Sequence, residues 1–133
     1  MSLRDMSKYV IDAYAWIEYL RGSEKGEKVK SIIENKQNEV LTSAITIAEV
    51  LSKFVRSNED YYTPLKAISI LSRVIDVDEK TAVKAALAHA EMRKKINDFG
   101  LADAFLIAIS KNLQAKILTG DKHFQSIPNT IMI

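Results

Sequence analysis

Asp12, Glu49, Asp103 and Asp121 are the carboxylates whose settings in the chain stand out. Asp12 ends the apolar run Tyr9-Val10-Ile11 and opens a helical pattern, so a helix cap is its plain role. A cap uses one carboxylate oxygen and leaves the other available. Glu49 lies beside the apolar stripe of its helix, four residues before Lys53, and an exposed ion pair accounts for it alone. Asp103 is the single charged residue between Leu101 and Ile109. A helix that is apolar on every side is expected to be buried, and a carboxylate there needs a partner or a proton. Two accounts stand for it: an aspartate satisfied in the first turn by the helix dipole, and a functional acid. Asp121 follows Thr119-Gly120, where a turn, or a cap for a short helix over residues 122–125, is sufficient.

Together the four read differently. Two sit at strand ends and two on helices able to reach the same sheet edge. Gathered without counter-ions they would repel one another and raise each other's pKa. A divalent cation removes that conflict. The chain has no Cys and no placed His pair, so oxygen donors point to Mg²⁺ or Mn²⁺ rather than zinc. Such clusters bind metal to activate water and to stabilise phosphoryl transfer.

The elements that must position these acids alternate. The short apolar run at residues 9–11 and the segments 40–42, 74–77, 116–118 and 130–133 read as five strands. Helical patterns cover residues 13–20, 24–35, 44–56, 63–72, 79–95 and 101–112. In the third of these, Ile47, Val50, Leu51, Phe54 and Val55 form the apolar stripe. Ser43 and Asp78 are predicted caps, as is Thr63 ahead of Pro64. Strands alternating with helices call for a parallel sheet covered on both faces. Ligands then sit beyond the carboxyl ends of the strands, where the strand order reverses.

A length of 133 residues fits one domain with its own core. At 47% hydrophobic and 27% charged residues, a mainly disordered chain is excluded. The lack of Cys excludes a disulfide framework, a thiolate zinc site and a Cys nucleophile, and it fits a reducing cytoplasm. No apolar stretch is long enough for a membrane span, and no signal core opens the chain. Met1-Ser2-Leu3 reads as an appended leader with Met6 as a natural start, and residues 1–7 as a tail outside the fold. Nineteen basic against 17 acidic residues, a net charge of +2, is too balanced to argue for nucleic acid by itself.

The chain resembles the PIN-domain ribonucleases, and among them the small VapC-type toxins of toxin–antitoxin pairs. The matching pieces are Tyr9-Val10-Ile11-Asp12 with Trp16, Thr46-Ile47-Ala48-Glu49-Val50, Gly100-Leu101-Ala102-Asp103-Ala104-Phe105-Leu106-Ile107-Ala108, and Leu118-Thr119-Gly120-Asp121-Lys122-His123-Phe124. The resemblance implies a three-layer α/β/α fold with a five-stranded parallel sheet ordered 3-2-1-4-5. It implies Asp12, Glu49, Asp103 and Asp121 as the catalytic and metal-site acids, Mg²⁺ or Mn²⁺ as cofactor, and cleavage of single-stranded RNA. It further implies a homodimer and a small antitoxin partner. Thr119 matches a hydroxyl position near the metal or a phosphate, although ending a strand also accounts for it. Asp98 falls outside the motif and reads as a loop or cap residue.

Arg93-Lys94-Lys95 reads as a solvated helix end with a lesser claim to phosphate contact. Lys122 and His123 flank Asp121 as turn residues that could touch RNA. His89 has no assigned role. Tyr61-Tyr62 could stack bases, but anchoring a loop on the core is the plainer expectation. Two other classes compete. One is a catalytically inert PIN-like module binding RNA or a protein. The other is a flavodoxin-like receiver, which would put its acceptor Asp after the third strand and a Lys after the fifth.

Overall fold

The computed structural model describes residues 7–133, so the expectations for residues 1–6 lie outside the described residues. The elements run β1 (Ser7–Ile11), α1 (Ala13–Leu20), α2 (Glu24–Ile33), β2 (Asn38–Ser43), α3 (Ala44–Arg56), α4 (Tyr62–Leu71), β3 (Arg73–Ile75), α5 (Glu79–Arg93), α6 (Leu101–Leu113), β4 (Lys116–Thr119) and β5 (Thr130–Met132). Ser7 therefore belongs to the sheet rather than to a tail. All strand pairs are parallel and the order is β3-β2-β1-β4-β5, as the alternation and the family resemblance lead one to expect. No helix among the described residues is long and apolar enough to cross a membrane.

The period of two along each strand builds the two layers. Val10, Leu41 and Ile117 face one side, where α5 and α6 supply Ala88, Met92, Ala104, Ile107 and Ile109. Ile11, Val40 and Leu118 face the other, against Ala15 and Trp16 of α1, Val29 of α2, Val50 and Phe54 of α3, and Ile68 of α4. A central strand buried on both faces carries no polar alternation, which is why these runs read as continuously apolar. Gly26 lets α2 cross α1 closely, since a Cβ there would run into the Glu18 carbonyl.

Caps fix the helix starts that matter. Asp12, Ser23, Ser43 and Asp78 each accept a backbone N–H of the first turn. The cap of α4 departs from expectation. Asp60, not Thr63, takes the backbone N–H groups of Tyr62 at 2.9 Å and Thr63 at 3.0 Å. A carboxylate is the stronger acceptor, and Thr63 spends its own hydroxyl on Asp60. Pro64 still falls in the first turn, where its missing N–H costs nothing. Tyr61 and Tyr62 stay exposed instead of anchoring on the core, and Val55 leaves the α3 stripe for solvent.

Candidate metal centre

The order of strands puts β1 beside β4, with Ile11 opposite Leu118. From this pair the sheet continues outward in both directions, and the crevice opens beyond their carboxyl ends. Asp12 and the segment Thr119–Asp121 follow immediately. The Asp12 backbone N–H donates to the Leu118 carbonyl at 3.1 Å, which extends the β1–β4 pairing to the site itself.

Asp12 is only 4% exposed, and both its oxygens are engaged. Oδ1 accepts the Ala15 N–H at 2.8 Å, and Oδ2 accepts the Thr119 hydroxyl. That hydroxyl, itself fully buried, accepts the Asp121 N–H at 2.9 Å. One threonine thus ties the acid after β1 to the turn after β4. Thr119 ends its strand and also positions two of the four acids. Each Asp12 oxygen keeps a further lone pair for another partner.

The electrostatics follow from crowding. Burial pushes the Asp12 carboxyl up to about 7, against the Thr119 and Ala15 hydrogen bonds, with Asp103 and Asp121 adding to the rise. Asp103, half-buried at the start of α6, is pushed up to about 6 by burial and then by Asp121. Glu49 is also pushed up to about 7, by desolvation first and then by Asp103 and Asp121. Its side chain still reaches solvent. The Glu49–Lys53 ion pair does not form. Among the described residues, no Lys or Arg makes a salt bridge to any of the four acids.

Ligand atoms of Asp103, Asp121 and His123 lie within 4.8 Å of one another. Asp12 and Glu49 stand outside this tight group and feel the charge of its two carboxylates. His123 is held from both sides: Nε2 lies 3.1 Å from Asp98 Oδ1, and Nδ1 lies 3.6 Å from Asp121 Oδ1. Its backbone N–H also donates to Asp121 Oδ1 at 2.9 Å. The sequence reading gave His123 only an RNA contact and Asp98 only a loop role. The signal was present in Asp121-Lys122-His123, because a 3-10 turn at Lys122–Phe124 brings the third residue back over the first. An imidazole nitrogen thus stands within reach of the carboxylate oxygens. Two carboxylates and an imidazole within reach of one ion, next to two further acids with no basic partner, fit a divalent cation.

The other candidates sit apart. Lys122 is exposed, as are Arg93, Lys94 and Lys95, and Lys94 pairs with Glu91 at 3.0 Å. His89 Nε2 lies 3.0 Å from the Phe99 carbonyl and steadies the loop before α6. Cavities of about 510 and 610 Å³ border α5 and α6, and none of the four acids lines either. The site is identified by its chemistry, not by volume. A shallower groove of about 480 Å³ between α1 and α3 has Glu49 among its lining residues, with Lys53 and Arg56 one and two helical turns further along α3.

The PIN domain model matches residues 9–129. The chain belongs to the PIN domain family. Its fold recurs in solved PIN-type structures at low identity. A VapBC complex of Rickettsia felis bound to promoter DNA is 18% identical, with 95% of this chain and 97% of that one covered and a TM-score of 0.73. A VapC toxin of Mycobacterium tuberculosis described as cleaving the sarcin–ricin loop is 17% identical, with 94% and 98% covered and a TM-score of 0.74. A toxin–antitoxin complex of Klebsiella pneumoniae is 20% identical, with 93% and 96% covered and a TM-score of 0.73. No curated protein sequence matches this PIN domain significantly.

Proposed function

We propose that this PIN domain is a Mg²⁺- or Mn²⁺-dependent endoribonuclease acting on single-stranded RNA, and the toxin of a toxin–antitoxin pair. The observation that carries the reading is the convergence of Asp12, Glu49, Asp103 and Asp121 at the strand switch point, with three of their carboxyls pushed upward and, among the described residues, no Lys or Arg paired with any of the four. The toxin–antitoxin character of the similar solved structures supports the biological setting.

Asp103, Asp121 and His123 would hold the ion, with Asp12 and Glu49 completing the negative field around it. When bound, a divalent cation polarises the phosphodiester and lowers the pKa of the attacking water. Thr119 keeps Asp12 and the Asp121 backbone in register. Asp98 orients the His123 ring. Lys53 and Arg56, further along the α1–α3 groove, supply positive charge for the RNA backbone at a distance from the acids. The protein would act as a homodimer in the cytoplasm, held inactive by a small antitoxin that covers the acidic edge.

The test is cleavage of single-stranded RNA with Mg²⁺ or Mn²⁺ and then with EDTA. Activity that survives EDTA sinks the mechanism. A signal that persists in Asp12→Asn protein belongs to a contaminant. RNA binding with no metal-dependent cleavage would favour the inert module.

A further inference from the structure

Tyr14 is a residue the four-acid account leaves unused. It stands two positions after Asp12, in the first turn of α1, and its ring lies against Gly120, between Thr119 and Asp121. A Cβ at Gly120 would overlap Tyr14 Cε1 and Cδ1 and come within 2.9 Å of Cζ. The glycine is therefore the seat of the ring, and the contact sits at the turn that carries Asp121. The hydroxyl accepts a hydrogen bond from Lys25 Nζ at 3.0 Å.

The ammonium lies 5.4 Å from the ring centroid. That separation approaches the sum of the centroid-to-hydroxyl length and the hydrogen bond. Lys25 therefore sits beyond the hydroxyl end of the ring and does not cover its face. With the Cδ1–Cε1 side of the ring on Gly120 and the hydroxyl engaged, Tyr14 still remains 37% exposed. Lys25 makes no salt bridge among the described residues. One turn further along α2, Lys28 Nζ donates to the Met132 carbonyl at the end of β5, at 2.5 Å. A partly exposed aromatic ring next to the acids thus leads onto a line of two lysines. An acidic cluster repels RNA phosphates, so strand binding needs attractive groups close by, and bases supply faces that stack on any aromatic ring.

We propose that Tyr14 and Lys25 form a nucleotide subsite beside the acidic edge, with the ring stacking one base of single-stranded RNA and the ammonium contacting a backbone phosphate. The subsite rests on the reading of this chain as an RNA-binding PIN nuclease, and it adds residues that hold the strand next to the reacting phosphate.

The test is direct binding of a fluorescein-labelled single-stranded RNA oligomer to the full chain, followed by anisotropy with Ca²⁺ as the divalent ion, alongside the cleavage assay. Tyr14→Ala should weaken binding by about tenfold or more, the loss of one stacked base, while Tyr14→Phe should stay near wild type. Gly120→Ala, which unseats the ring without removing it, should weaken binding in the same direction. Lys25→Met should lower the slope of log affinity against log salt by about 0.7, the share of one phosphate contact on a single strand. A merely structural tyrosine or lysine would not change that slope. Circular dichroism and the melting temperature of each variant identify any that fail to fold, and Tyr14→Phe against Lys25→Met then carries the test. Tyr14→Ala binding as tightly as wild type, an unchanged salt slope in Lys25→Met, or no RNA binding by wild type overturns the subsite. Binding that depends on Tyr14 but never leads to metal-dependent cleavage would overturn the nuclease reading and leave the subsite standing.

Discussion

Asp12 and Asp78 open their helices in nearly the same way. Asp12 has φ −83° and ψ 174°, Asp78 has φ −100° and ψ 176°, and each carboxylate accepts the N–H three residues on at 2.8 Å. Their acidities nevertheless move in opposite directions. The hydroxyl and backbone of Thr81 hold the solvent-exposed Asp78 carboxyl below its ordinary value. Asp12 accepts just as many hydrogen bonds, yet burial beside Asp103 and Asp121 pushes it up to about 7. The same local cap is a comfortable anion at one helix and a costly one at the other. Capping explains why α1 starts where it does, but a cap gains nothing from being buried among like charges. The strain at Asp12 is what the proposed divalent cation would relieve.

The largest expected effect that separates the two aspartates is on catalysis. Asp12→Asn and Asp103→Asn should each lower metal-dependent RNA cleavage by about a thousandfold, in line with the several kcal/mol that charge stabilisation by a bound ion contributes. Asp78→Asn should leave the rate within about twofold of wild type, since a retained cap far from the ion removes no transition-state contact. Asp103→Asn should also leave the metal-free protein at least as stable as wild type, because it removes one charge from a repelling group. A clear fall in its melting temperature would assign Asp103 a structural role.

The next effect is on pH dependence. The Asp12 carboxyl, pushed up to about 7 in the folded chain, keeps a proton that the unfolded chain, with a value near 4, releases, and Glu49 shifts in the same direction. Between these values the native state binds more protons. Metal-free stability is thus fullest below about pH 4 with respect to these groups and falls as the pH rises to about 7. Denaturant melts in EDTA across that window should show the decline in wild type, a shallower one in Asp12→Asn, and no change of slope in Asp78→Asn. Saturating Mn²⁺ should flatten the wild-type decline, because the ion favours the ionised acids.

A smaller effect concerns the link between strands. Thr119→Val keeps the shape of the side chain and deletes the hydroxyl that joins Asp12 to the Asp121 backbone. It should cost about 1–3 kcal/mol through the polar groups left unpaired, measured by urea denaturation. It should also push Asp12 higher still and steepen the pH decline. The smallest effect belongs to the reference residue. Asp78→Ala should lower the melting temperature slightly, by loss of the cap, without altering cleavage or metal response.

Much of this was legible in the sequence for a physical reason. Short apolar runs such as Tyr9-Val10-Ile11 and Ile117-Leu118 are what strands buried on both faces must look like, and helical patterns between them call for parallel crossovers. Asp12 and Asp121 could be singled out because each follows a strand, and Asp103 because it is the single charged residue between Leu101 and Ile109. Side-chain partners across the fold were not legible. Asp98 and His123 lie far apart in the chain and meet only because the loop before α6 packs on the turn after β4, with Phe99 against the His123 and Phe124 rings. The Tyr14–Gly120 contact likewise depends on β1 and β4 being neighbours. The α4 cap went to Asp60 because a carboxylate outcompetes a hydroxyl for the same N–H groups, and Thr63-Pro64 alone could not show that.

The most direct measurement of the central claim is the melting temperature of wild type, Asp103→Asn and Asp78→Ala during a titration with Mn²⁺ into the millimolar range at matched ionic strength. An ion that binds only the folded chain adds about 2.7 kcal/mol of stability at a hundredfold excess over Kd. Wild type and Asp78→Ala should rise together with the logarithm of Mn²⁺ concentration, while Asp103→Asn stays nearly flat. If Asp103→Asn is stabilised as much as wild type, Asp103 holds no ion and the shared acidic site is contradicted.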